Sequence, residues 1–270
     1  MKFKLMEVRG LATACLSLKM SKRSYTEEYE NKLREAIAAC TIPRNGFMSA
    51  RTDENASYHD FLIEELDKVA KWGAGFGADG SLQAGHDTLL RFIDLHIHVE
   101  GLHYAGMADL DSHAMRMGNR IVRSSSRLTT KGSTELSDWY KDKVIPLWEV
   151  DKNVPQHIER DGHTFVYNGF GYIRDDLIED KDVLRGLYPL GMASDCIFAV
   201  DLFDMRHIYK RRNAFTHAAP ELREGIEDLA DQIGKALPCN LGYMVRYDYC
   251  ADGKLHHVMD IDKTFRSKEE

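Results

Sequence analysis

No two cysteines in this chain stand in a C-x-x-C spacing. The five that exist, Cys15, Cys40, Cys196, Cys239 and Cys250, are scattered. That excludes a signalled zinc knuckle or redox pair and leaves free thiols in a reducing compartment. No apolar run approaches membrane-spanning length, and the opening MKFKLMEVRG has no apolar signal core. A cytoplasmic protein with no membrane partner is therefore expected. Positive charge is not in excess. The net charge of −7 argues against broad nucleic-acid binding, which needs a basic surface to displace counterions. No serine or cysteine sits in a nucleophile elbow, so nucleophilic catalysis has little support. The glycine-rich stretch Gly73 to Gly85 follows a predicted helix, not a strand. That is the wrong context for a dinucleotide fingerprint, and a mobile loop is expected.

What the chain does contain is enough for a substantial core. At 270 residues, with ordinary hydrophobic and charged fractions, it needs no disulfides or metal to fold. Lys2 to Val8 reads as an opening strand. Ser24-Tyr25-Thr26-Glu27 has the form of a capping box ahead of Leu33, Ala36, Ile37 and Cys40 at helical spacing. Ser57 to Asp60 has the same form ahead of a helix to about Trp72. Thr134 to Trp148 also reads as helix. Asn168-Gly169, between aromatic and β-branched residues, predicts a hairpin over His163 to Ile173. Asp204 to Arg212 and Pro220 to Leu237 read as helices, the second with Leu222, Ile226, Leu229 and Ile233 on one face. A last hairpin is expected around Ala251-Asp252-Gly253. No repeat or linker divides residues 1–270. The expectation is a single α/β (α+β) domain with a central mixed or antiparallel sheet flanked by helices.

Three constellations could carry chemistry. Arg116, Arg120, Arg123 and Arg127 fall at spacings of four, three and four, which place them on one face if the segment is helical. Guanidinium suits phosphate, and Ser124 to Ser126 add hydroxyls; a solvated basic face is the alternative. His96 and His98 would share one face of a strand, but no third ligand spacing makes a metal site, and none is assigned. Arg185 and Arg211-Arg212 bracket the apolar run Cys196 to Val200. They could converge on an anion or simply end their elements.

Taken together, several motifs resemble those of the flavin-dependent thymidylate synthases. The chain has Gly85-His86-Asp87-Thr88, then Arg185 followed by Tyr188-Pro189-Leu190. Asp201 and Arg212 stand at the family's spacing, ahead of His217-Ala218-Ala219-Pro220-Glu221-Leu222-Arg223. Gly10 to Leu16 suits the family's opening helix. By this resemblance His86, Thr88, Asp201 and His207 would contact FAD. Arg116, Ser125, Arg127, Arg185 and Arg212 would bind the pyrimidine nucleotide, with Arg212 also the catalytic residue that polarises the ring. Met117-Gly118 stands where the family's signature has His-Arg, and Arg91 where it has a glutamate. The resemblance implies reductive methylation of dUMP at C5, with NADPH and methylenetetrahydrofolate as co-substrates, in a homotetramer. Another C5-modifying flavoenzyme and a non-catalytic nucleotide-binding protein are the alternatives.

Overall fold

The computed structural model describes residues 1–74, 87–111, 120–123, 153–169, 171–179, 192–212, 216, 218, 220–245, 247–249 and 255–257. Helices and strands mix along the chain, as expected. A four-stranded sheet runs in the order β1-β2-β7-β3, built from β1 (Lys2–Arg9), β2 (Asp94–His103), β3 (Arg120–Arg123) and β7 (Ala193–Asp201). Separate sheets are formed by β4 (His157–Arg160), β5 (His163–Tyr167) and β6 (Tyr172–Arg174), and by β8 (Tyr247–Tyr249) with β9 (Leu255–His257). Both smaller sheets are antiparallel. The chain divides into two compact units, and the division falls inside all four strands of the larger sheet: after Lys2 in β1, His98 in β2, Ile121 in β3 and Ile197 in β7.

The unit holding the N-terminal helices contains α1 (Leu11–Ser21), α2 (Glu27–Cys40), α3 (Ala56–Ala74), a 3-10 helix (Asp87–Phe92), α5 (Leu202–Arg212) and α6 (Pro220–Ala236). Its core is continuous with the sequence pattern. Along α6, Leu222, Ile226, Leu229 and Ile233 are all fully buried. In β2, Leu95 and Ile97 are buried and alternate with half-exposed Asp94, His96 and His98, the period of two that a pleated strand imposes. Strand β1 is an edge of its sheet, and Gln232 of α6 covers it. The amide oxygen accepts from the Leu5 N–H at 2.8 Å and the amide nitrogen donates to the Phe3 carbonyl at 2.7 Å. One side chain thus acts as a short length of partner strand on an edge that would otherwise expose backbone polar groups.

The helix starts differ from the sequence expectation. The cap of α2 is Thr26, whose hydroxyl accepts from the Tyr29 N–H at 3.1 Å; Ser24 instead closes the end of α1 through the Lys19 carbonyl. In α3 the residue Ser57 lies inside the helix, and Asn55 precedes it, its carbonyl accepting from His59. The box motif therefore falls two residues early for α2 and two residues late for α3. The arginine row is also corrected. Arg120 to Arg123 form strand β3, so the helical spacing does not apply to Arg120 and Arg123. Ile121 and Val122 are β-branched, and pairing beside β7 satisfies their strand preference.

The other unit contains α4 (Tyr104–Asp111) and the β4-β5-β6 meander. The predicted hairpin through Asn168-Gly169 is present: Tyr167 pairs with Tyr172, and their rings lie 5.4 Å apart. A second hairpin, not expected from the sequence, joins β4 to β5 through Asp161-Gly162. Both residues have positive φ, 49° and 77°, which is the two-residue turn that an Asp-Gly pair favours. The terminal hairpin β8–β9 is present as expected, with its Ala251-Asp252-Gly253 turn outside the described residues. The glycine-rich stretch from Gly75 on and the helix expected over Thr134 to Trp148 also lie outside them.

Candidate functional site

The site is built where the 3-10 helix meets the start of α5, inside one compact unit. Three neighbours hold the 3-10 helix. Gly10 has φ +86°, and a Cβ there would lie 1.7 Å from the Phe92 carbonyl oxygen, so only glycine lets the chain pass. Gly73 of α3 gives room to the buried Leu90 side chain; a Cβ would come within 2.7 Å of it. The Ile93 carbonyl accepts from the Leu202 N–H at 2.8 Å, which ties the end of the 3-10 helix to the beginning of α5. With Leu89 and Leu90 buried, Thr88, Arg91 and Phe92 are left at the surface.

Strand β7 delivers Asp201 to the head of α5, where it is the N-cap. Its Oδ1 accepts from the Asp204 N–H at 2.7 Å. One turn in, Asp204 is completely buried, and neither carboxylate oxygen has a hydrogen-bond partner. Arg91 lies against both acids, with Nη1 at 3.4 Å from Asp201 Oδ2 and 3.6 Å from Asp204 Oδ1. Burial pushes the Asp204 carboxyl up to about 6; the Asp201 charge adds to this and Arg91 opposes it. Burial raises Asp201 as well, countered by the Asp204 N–H and by Arg91.

Aromatic rings complete the arrangement. The Arg91 guanidinium lies over the Phe203 ring at 4.3 Å, and Arg206 approaches the same ring at 5.6 Å. Phe203 meets the His207 ring edge to face, 4.7 Å between centroids. His207 is pushed below the ordinary histidine value, first by burial and then by Arg206, Lys210, Arg211 and Arg91. It is therefore neutral at pH 7, with one ring nitrogen able to accept. Arg212 is half-buried in the last turn, where Lys210, Arg211 and Arg212 complement the helix dipole. A helix of this length spans about 16 Å, so Asp201 and Arg212 address different parts of a ligand, or two ligands.

Of the residues expected at a site, Thr88, Asp201, His207 and Arg212 are placed here, on the 3-10 helix, the end of β7 and α5. His86, Arg116, Ser125, Arg127 and Arg185 lie outside the described residues, as does His217. His96 faces Glu7, with Nδ1 and Oε2 3.1 Å apart, and no group of three metal-ligating side chains occurs among the described residues. Phe203 and Asp204 were not singled out from sequence. An acid in a first helical turn reads as an ordinary dipole complement, and nothing local says that it is buried. Arg91 was noted only as a departure from the family pattern.

No family model matches this sequence, and no curated protein matches it. Solved structures do. Thymidylate synthase X (ThyX) from Helicobacter pylori with FAD and dUMP is 13% identical with a TM-score of 0.50, covering 91% of this chain and 98% of that one. A second structure of ThyX from that organism, complexed with FAD and dUMP, has a TM-score of 0.47 at 12% identity, covering 88% and 97%. The UMP/dUMP methylase PolB from Streptomyces cacaoi, bound with 5-Br dUMP, has a TM-score of 0.48 at 13% identity, covering 90% and 93%. At such identities the likeness concerns the fold.

Proposed function

We propose that this chain is a divergent relative of the flavin-dependent thymidylate synthases: an FAD enzyme that modifies dUMP at C5, by reductive methylation with methylenetetrahydrofolate and NADPH, as a homotetramer in the cytoplasm. One observation carries the reading. The two sequence elements behind the family resemblance, the segment after His86 and the segment from Asp201 to Arg212, lie more than a hundred residues apart, yet they meet through Arg91 and Asp201. A fold shared with ThyX over most of both chains supports it.

The side chains suit a flavin nucleotide. Thr88 offers a hydroxyl, neutral His207 an acceptor, Phe203 a ring face, and Arg91 with Arg206 positive charge. A buried acid short of partners marks a place where a donor-bearing group would be satisfied. These residues, with His86, would hold FAD. When bound, FAD supplies the redox chemistry that the side chains lack. The chain's own contribution is positioning and field. Asp201, capping α5, orients the polar groups of the helix start. Arg212, held at the opposite end, would stabilise negative charge developing on the pyrimidine, a preorganised electrostatic role. Arg116, Ser125, Arg127 and Arg185 would fix the nucleotide so that reacting atoms meet in register.

The test is a visible spectrum of the purified protein before and after FAD and dUMP are added, followed by tritium release from C5 of labelled dUMP. An oxidised-flavin spectrum that shifts with dUMP is expected. Arg212→Ala should retain the fold and the flavin but abolish release. A colourless protein that takes up dUMP and not FAD would favour a non-catalytic nucleotide-binding protein instead.

A further inference from the structure

Arg91 is held unlike Arg51 and Arg34 of the same unit. Arg51 grips Asp60 at 2.8 and 2.9 Å, and Arg34 grips Glu30 at 2.6 and 2.8 Å. Arg91 reaches its two acids only at 3.4 and 3.6 Å, well outside the 2.7–2.9 Å of a charge-assisted bond. Its side chain is nonetheless 41% exposed and lies over the Phe203 ring, so the guanidinium is placed without being strongly bound. Behind it, Asp204 is fully buried, with no hydrogen-bond partner on either oxygen. A buried carboxylate sustained by one distant cation is stable without that cation only as the neutral acid.

We propose that Arg91 is a latent phosphate receptor, which leaves Asp201 and Asp204 to pair with the phosphate of a nucleotide ligand while Asp204 takes up a proton from solvent. The exchange balances: the guanidinium trades two long contacts for a bidentate phosphate contact, and the acid it leaves becomes neutral. Phosphate is the anion class that the surroundings favour. Arg206, Lys210 and Arg211 stand on the same helix near His207, and neutralising Asp204 makes the whole site more positive. The groups acting on Asp204 are Asp201 from the end of β7 and Arg91 from the 3-10 helix; Asp94 of β2 acts on Asp201 in turn. Burial, with the Asp201 charge, already places the Asp204 carboxyl near 6, so it is mostly ionised at pH 7.5 and free to gain almost one proton.

This inference rests on the nucleotide reading of the site, and three probes separate the two. FAD carries a diphosphate, dUMP a monoester, and inorganic pyrophosphate no base or sugar. Each is titrated calorimetrically at pH 7.5 in two buffers of different ionisation enthalpy, into the wild type, Arg91→Gln, Arg91→Lys and Asp204→Asn. The wild type should take up close to one proton per phosphate ligand bound. Arg91→Gln should bind about tenfold more weakly or worse, and Arg91→Lys should recover part of the loss. Asp204→Asn should bind at least as tightly as the wild type but without that proton. A purely structural pair would weaken binding in both variants. Whichever of FAD and dUMP shows the Arg91 dependence identifies the phosphate concerned. Pyrophosphate binding through Arg91 with neither nucleotide bound would uphold the receptor and overturn the function proposed above. Nucleotide binding indifferent to Arg91, or without proton uptake in the wild type, would overturn the receptor and leave that function standing. Failure of all three probes to bind would overturn both.

Discussion

Asp204→Asn offers the sharpest test of the physical picture, because its effect on stability should change with pH. The carboxyl is raised from an ordinary 3.8 to about 6, which costs the folded state about 3 kcal/mol at pH 8, each pH unit of displacement being worth about 1.4 kcal/mol. The sign follows from the direction. The folded state binds this proton more tightly than the unfolded state, so the protein gains stability as pH falls through about 6 toward 3.8. Asparagine cannot ionise, and the cost disappears. Its amide remains short of partners in the same pocket, which returns about 1–2 kcal/mol. The variant should therefore be more stable than the wild type by about 1–2 kcal/mol at pH 8, a rise in Tm of roughly 2–4 °C for a chain of this size. At pH 5 the folded wild type has already taken its proton and about half of the cost is gone, so the advantage should fall to near zero. Urea unfolding of both proteins at pH 8 and pH 5, without added ligand, reads the difference directly. An advantage equal at the two pH values would refute the argument, since the gain would then owe nothing to the proton. So would a loss at both.

Other expectations follow from single contacts. Gly10→Ala puts a methyl where the Phe92 carbonyl oxygen stands and demands a positive φ from alanine. It should lose several kcal/mol, or fold with the 3-10 helix displaced, and flavin uptake should fall with it. Gln232→Ala removes both hydrogen bonds that cover the edge of β1. It should cost about 1–3 kcal/mol in denaturant unfolding, and faster hydrogen exchange at the Leu5 amide would localise the effect. Protection at Leu5 equal to that of the wild type would show that another group covers the edge.

Much of the fold was legible in residue order, because the features that define it are local. The period of two in Leu95 and Ile97, the helical stripe Leu222–Ile226–Leu229–Ile233 and the Asn168-Gly169 turn each state their own conformation. Where prediction slipped, a neighbour decided. Thr26 capped the helix that Ser24 was expected to start, α3 began ahead of Ser57, and pairing beside β7 made Arg120 to Arg123 a strand. Site residues divide in the same way. Thr88, Asp201, His207 and Arg212 were singled out by the family resemblance, and they lie on the 3-10 helix, at the end of β7 and on α5. Phe203 and Asp204 were not, and Arg91 had no assigned role. Burial of Asp204, the long reach of Arg91 to two acids, and the ring beneath its guanidinium are all products of segments more than a hundred residues apart. Sequence by itself determined the periodicities, the turns and the chemical types available. Only tertiary structure decided which charge was taken from water and which cation stood beside it, because desolvation and Coulomb energy depend on distances in space and not on positions along the chain.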